Sequence, residues 1–179
     1  SLPLRGKAGG GKGASVAKSL AVVAVGGNAL ISDDRHMALA DQYNAVCETA
    51  THVAAMIGAG WNVVLTHGNG PQVGFILRRS EIADGQVPTV PVQYAVGDTQ
   101  GAIGFMFQNA LGNALLRRGL EVPVVTLVTQ TLVDRRDPAF AKPDKPIGSF
   151  MTEEIARRLA AQLGWTVMPD SNRGWRRVI

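Results

Sequence analysis

With 179 residues the chain is long enough for one domain with a sizeable core, and 46% hydrophobic against 18% charged residues exclude an intrinsically disordered chain. A formal net charge of +4 suits a small phosphorylated or carboxylated ligand, and without an aromatic-interleaved basic stripe it gives no reason to expect nucleic acid. One cysteine, Cys47, excludes a disulfide framework and points to a reducing cytoplasm, and no apolar run approaches the roughly 20 residues of a membrane span, so no membrane partner is expected.

Residues 1–17 read as a flexible basic tail. Gly6 to Gly13 has the glycine and lysine spacing of a phosphate-binding P-loop, but Gly13 stands where a magnesium-binding hydroxyl belongs, and no strand precedes it. The N-terminus also lacks the apolar core of a secretory signal. One domain is expected over residues 18–179.

Its first element is an apolar strand over Leu20–Val25, followed at once by Gly26-Gly27-Asn28-Ala29-Leu30. From Ala38 to Ala59 the apolar positions Leu39, Tyr43, Val46, Ala50, Val53 and Ile57 recur at three- and four-residue steps, which predicts a helix closed by Gly58 and Gly60. Cys47 and His52 lie on it and read as structural side chains. The helix leads to a second apolar run, Val63-Val64-Leu65, read as a buried strand, and the unit is βαβ with parallel strands.

The second strand runs into Thr66-His67-Gly68-Asn69-Gly70-Pro71 and then a helix over Gln72–Ala83. Glycine lets backbone approach a ligand closely, and Pro71 suits a first helical turn, where its missing amide would have no partner. Free amides at a helix N-terminus, together with the helix dipole, favour an anion. One such loop is equally compatible with a tight turn and no ligand. Two of them, at neighbouring strand ends, favour an anion site, because ligands of open parallel sheets bind at the carboxyl ends of strands. Asn28 and Asn69 would add side-chain donors.

Beyond a proline-containing link, Val92–Gly119 predicts a long helix with Ile103, Phe107, Ala110, Leu111, Ala114 and Leu115 on its apolar face. Gly101, Gly104 and Gly112 would allow close approach, either of a second subunit or of the chain's own sheet. Val122–Val128 reads as a further buried strand neighbouring the first two. Asp134 to Gly148, with three prolines and seven charges, reads as an irregular functional loop. Thr152–Leu163 is expected to be a helix capped by Thr152. Trp165–Met168 and Trp175–Ile179 are expected to be strands joined by a turn over Asp170–Gly174.

These residues carry a resemblance. Val22–Leu30, Thr66–Gly74, Thr99-Gln100-Gly101-Ala102-Ile103-Gly104, Val133-Asp134, Asp137-Pro138-Ala139-Phe140, Lys145-Pro146-Ile147-Gly148 and Arg173-Gly174-Trp175-Arg176-Arg177-Val178 stand in the order found in carbamate kinases. The likeness covers about residues 19–179. The second glycine loop and the Arg-Gly-Trp-Arg-Arg block distinguish it from the acetylglutamate and glutamate kinases of the wider amino acid kinase family. The resemblance implies an α/β fold: a three-layer α/β/α sandwich on a mainly parallel open sheet, here incomplete at the C-terminus, with a small protruding lid at about residues 130–179. It implies reversible phosphoryl transfer between carbamoyl phosphate and ADP, giving ATP and carbamate, with magnesium and a homodimer.

Carried over by motif, Gly26, Gly27, Asn28, Gly68, Asn69 and Gly70 would bind the carbamoyl and phosphoryl oxygens, and Lys145 would be the catalytic lid lysine. Asp144 precedes it where the family pattern has threonine. No metal ligand is identified. The nucleotide-binding glycine loop, its lysines and the magnesium-binding acid belong to a second half that would follow Ile179. The chain is therefore expected to supply the carbamoyl side of the enzyme, its own activity alone being doubtful. The alternative is a non-catalytic fragment that binds small anions or dimerises.

Overall fold

The computed structural model describes residues 19–26, 30, 31, 38–83 and 85–179. The tail over 1–17, including the P-loop-like run, lies outside them. Strand β1 (Leu20–Val25) pairs in parallel with β2 (Asn62–His67), from Leu20 opposite Asn62 to Val25 opposite His67. Helix α1 (Leu39–Gly58) connects them. Because side chains alternate across a strand, Val23, Val25, Val63 and Leu65 face the helices, while Leu20, Val22 and Val64 face away.

The core forms on the helix side. Val46, Ala50, Val53 and Ala54 of α1 pack against Ile103, Phe107, Ala110, Leu111, Ala114 and Leu115 of α3 (Val92–Arg117), with Val25 and Leu30 in the same cluster. Cys47 is partly buried against this cluster, as a structural thiol would be. The opposite face is bare: Leu20 is 63%, Val22 67% and Val64 48% exposed. The two strands read as buried are thus half-buried. Among the described residues the fold is α/β with a parallel pair covered by helices on one side, an incomplete version of the expected sandwich.

The third strand expected next to these two is not paired. Val122–Val128 makes no sheet ladder, and a cleft of about 530 Å³ lies between it and β2, lined on one side by Val63, Leu65 and His67 and on the other by Val122, Val124 and Thr126. Its backbone is held by α3 instead. Gln108 Nε2 donates to the Val124 carbonyl at 3.1 Å, and Gln100 Oε1 accepts from the Thr129 amide at 2.7 Å. Thr126 lies directly over Gly104, where an added Cβ would overlap its side chain. That contact accounts for Gly104 within the chain, while Gly101 and Gly112 face open space.

Helix α2 (Gly70–Ile82) follows β2 and packs on α3 and on a second sheet. This sheet is antiparallel, in the order β3 (Pro146–Met151), β5 (Trp175–Val178), β4 (Thr166–Pro169). The sequence reading missed β3 and placed its first three residues in an irregular loop. Pro146 opens an edge strand, where a missing amide costs no ladder bond. Helix α4 (Glu153–Leu163) starts as expected: the Thr152 hydroxyl accepts from the Ile155 amide. Gly174, at φ +124°, allows the close crossing of β3 and β5, because a Cβ there would lie 2.7 Å from the Met151 carbonyl oxygen. No described helix is long and apolar enough to cross a membrane.

Candidate anion-binding site at the paired strand ends

The parallel register carries the ends of β1 and β2 to the same edge. One hydrogen bond continues past the strands and ties them: the Gly68 amide donates to the Val25 carbonyl at 2.9 Å. Gly26, the residue after Val25, is therefore beside the second loop. It is exposed and has no atom within 4 Å of the position a Cβ would take. Gly27 and Asn28, the other candidates of the first loop, lie outside the described residues. The expectation that both loops share one edge is met for Gly26 and Gly68–Gly70.

The second loop is held from three directions. The Gly68 peptide is fixed on its amide side by Val25 and on its carbonyl side by His67, whose Nδ1 lies 3.1 Å from that oxygen. A carbonyl oxygen can only accept, so this contact requires the proton on Nδ1. The His67 ring stacks on Phe107 of α3, with centroids 6.5 Å apart and planes 24° apart. Asn69 donates through Nδ2 to the Thr99 hydroxyl at 2.9 Å, and that hydroxyl donates to the Val96 carbonyl at 2.8 Å. Val73, one turn into α2, donates its amide to the Asn69 carbonyl.

Asn69 is the N-cap of α2, and its side chain caps none of the helix amides. Pro71 has no amide to satisfy. The Gly70 and Gln72 amides fall within the first turn, where no helical carbonyl is in reach, and they point along the axis toward the end of β2. An anion between the loops would meet these amides and the positive end of the helix dipole.

Three residues without a sequence-assigned role join this region. Gln72 donates through Nε2 to Gln42 Oε1 of α1 at 3.1 Å, a buried amide pair at the starts of both helices. Gln72 Oε1 is buried and has no hydrogen-bond partner among the described residues. Thr99 is 1% exposed and belongs to a motif that the sequence singled out without assigning it a task. These pairings join residues 30 apart, which local periodicity does not reveal.

Lys145 stands at the base of the second sheet. Its backbone pairs both ways with Ile179, amide to carbonyl at 3.1 Å each, so it extends the β3–β5 ladder. Its side chain is exposed and has no ion pair among the described residues. The strand it precedes packs on α2, where Gly148 lies 4.0 Å from the Cβ position of Gly74, and Ile147 joins the small core of Val73, Leu77 and Ala95. The sheet is braced on its other side by Arg176, which bonds Asp170 at 3.0 Å and the Gly148 carbonyl at 3.1 Å. Arg177 stacks over Trp165; burial lowers its guanidinium from the usual arginine value, opposed by Glu81 of α2. The sheet that Lys145 adjoins thus packs on the helix that follows the second loop, and among the described residues no hydrogen bond or ion pair joins the Lys145 side chain to the loops.

Among the described residues no three His, Cys, Asp or Glu side chains converge as metal ligands would.

No family model matches the chain. Curated relatives do. Over 160 residues it is 47% identical to the carbamate kinase of Pyrococcus furiosus, covering 88% of this chain and 51% of that protein. Over 165 residues it is 46% identical to the carbamate kinase-like protein YahI of Escherichia coli, covering 90% and 52%. Among solved structures, one from Aeropyrum pernix K1 superposes with a TM-score of 0.84 at 38% identity, covering 89% of this chain and 51% of that one. The carbamate kinase of Giardia lamblia bound to AMP-PNP superposes with a TM-score of 0.79 at 39% identity, covering 90% and 51%.

The chain spans about half the length of the curated relatives it matches. The α/β fold with a parallel sheet is the one these structural neighbours share, here incomplete relative to their full length. Its sequence is similar to the N-terminal half of the proteins named as carbamate kinases.

Proposed function

We propose that this chain supplies the carbamoyl-binding side of a carbamate kinase-type phosphotransferase, which moves a phosphoryl group reversibly between carbamoyl phosphate and ADP to give ATP and carbamate. The observation that carries the reading is the Gly68–Val25 hydrogen bond, which brings Gly26 and the uncapped start of α2 together at the carboxyl ends of two parallel strands. The relatives named as carbamate kinases support it.

In this reading the loop amides hold the carbamoyl and phosphoryl oxygens, with Gly27 and Asn28 completing the first loop. Lys145 reaches the transferred group from the second sheet, which acts as the lid. Phosphoryl transfer depends on positioning and charge stabilisation more than on covalent help, which amides and one ammonium supply. ATP or ADP and magnesium would be held by polypeptide equivalent to the other half of the relatives. A cytoplasmic homodimer completes the proposal. The second reading, a non-catalytic fragment that binds small anions or dimerises, is favoured by the bare apolar face of the parallel pair at Leu20, Val22 and Val64.

The test pairs two assays on the 179-residue chain and its Lys145→Ala variant. Calorimetric titration with carbamoyl phosphate should show binding, weakened in the variant, while a coupled ATP assay with ADP and magnesium shows no turnover by either. Failure of carbamoyl phosphate to bind contradicts the assignment of the carbamoyl side. Turnover by the chain alone, lost in the variant, contradicts its division between two halves.

A further inference from the structure

Asparagine is among the best N-caps because its side-chain oxygen accepts from the amides of the first turn. Asn69 occupies that position in α2 and does not do so. The reason lies in α3. The Thr99 hydroxyl carries one proton, and it is directed to the Val96 carbonyl, which can only accept. Toward Asn69 the same oxygen can then only accept, so Asn69 must present its nitrogen. Thr99 is 1% exposed, so water does not compete for this contact.

We propose that Thr99 is a positioning residue of the anion site: by anchoring the Asn69 carboxamide through its nitrogen, it holds that side chain off the start of α2 and leaves the Gly70 and Gln72 amides to the substrate's oxygens. The proposal rests on the site reading given above. Without the anchor, the Asn69 oxygen is released to cap α2, and the protein's own side chain competes with the ligand for the same amides. Asn69 is thus a cap withheld, and Thr99 is what withholds it.

The experiment compares the chain with Thr99→Val, which keeps the shape and removes the hydroxyl, and Thr99→Ser, which keeps the hydroxyl. Inorganic phosphate and carbamoyl phosphate are titrated against amide and side-chain resonances. In Thr99→Val the affinity is expected to fall about tenfold, the scale of one hydrogen bond to a charged ligand. The Asn69 side-chain NH₂ signals should move, and exchange at the Gly70 or Gln72 amide should slow as the cap forms. Thr99→Ser should stay near the wild type on all three measures. Affinity in Thr99→Val within twofold of wild type overturns the proposal, as does equal weakening in both variants with unmoved Asn69 signals. If the wild type itself binds neither ligand, the site reading fails. The anchoring is then judged on the Asn69 signals and amide exchange alone, and their constancy in Thr99→Val overturns it separately.

Discussion

Three of the four glycines of α3, Gly101, Gly104 and Gly112, offer a test in which one term cancels. Replacing any of them with alanine gains helix propensity of about 1 kcal/mol, because glycine loses more backbone freedom on folding. At Gly101 and Gly112 an added Cβ meets nothing within 4 Å, so Gly101→Ala and Gly112→Ala should keep most of that gain. At Gly104 the same atom would overlap the Thr126 methyl and lie 2.7 Å from its hydroxyl oxygen. Overpacking of this kind costs about 1–3 kcal/mol, so Gly104→Ala should be about 1–3 kcal/mol less stable than Gly101→Ala. With a urea slope of about 2 kcal/mol/M, the two midpoints should differ by about 0.5–1.5 M. Thr126→Gly should remove most of the difference, which a double-mutant cycle reads as coupling. Equal midpoints for Gly104→Ala and Gly101→Ala would refute the placement of Val122–Val128 over α3. A concentration-dependent loss confined to Gly101→Ala or Gly112→Ala would instead assign those glycines to a subunit contact.

Two further outcomes follow from the packing. Leu115, 1% exposed in the main core, should cost about 2–5 kcal/mol as Leu115→Ala in urea unfolding, and a loss below 1 kcal/mol would contradict its burial. Thr152→Ala should cost about 1 kcal/mol and speed amide exchange in the first turn of α4, because it removes the oxygen that caps Ile155; unchanged exchange at Ile155 would contradict the cap.

Local pattern revealed the elements whose cause is local. The spacing of Leu39 through Ile57 marked α1, and the glycines after it marked its end. Thr152 followed by Glu153 and Glu154 marked the start of α4, because capping and dipole effects act within one turn. What pairing partner a segment finds was not legible. Val122–Val128 has strand composition, yet among the described residues it finds α3 side chains instead of a ladder. Strand β3 was hidden by Pro143, Pro146 and the charges before it, because an edge position next to β5 tolerates what a central strand does not.

The site divides in the same way. Glycine, asparagine and proline in short order announced the second loop, since those residues suit a backbone that turns sharply into a helix; of the first loop's candidates only Gly26 is described, and it lies beside the second. The supports of the second loop come from far along the chain. Thr99 holds Asn69 from α3, Gln42 meets Gln72 from α1, and Phe107 stacks on His67. Such contacts depend on how helices pack across the sheet. Lys145 was placed by its motif neighbours Pro146, Ile147 and Gly148, and the structure adds that its backbone is clamped by Ile179.

The claim that two strand-end loops form one anion site is tested most directly by titrating the isotope-labelled chain with carbamoyl phosphate and following every backbone amide. The account predicts the largest shifts at Gly26, Gly68, Asn69, Gly70 and Gln72, with smaller ones near Lys145. Largest shifts elsewhere, for instance along the cleft between β2 and Val122–Val128, would contradict it.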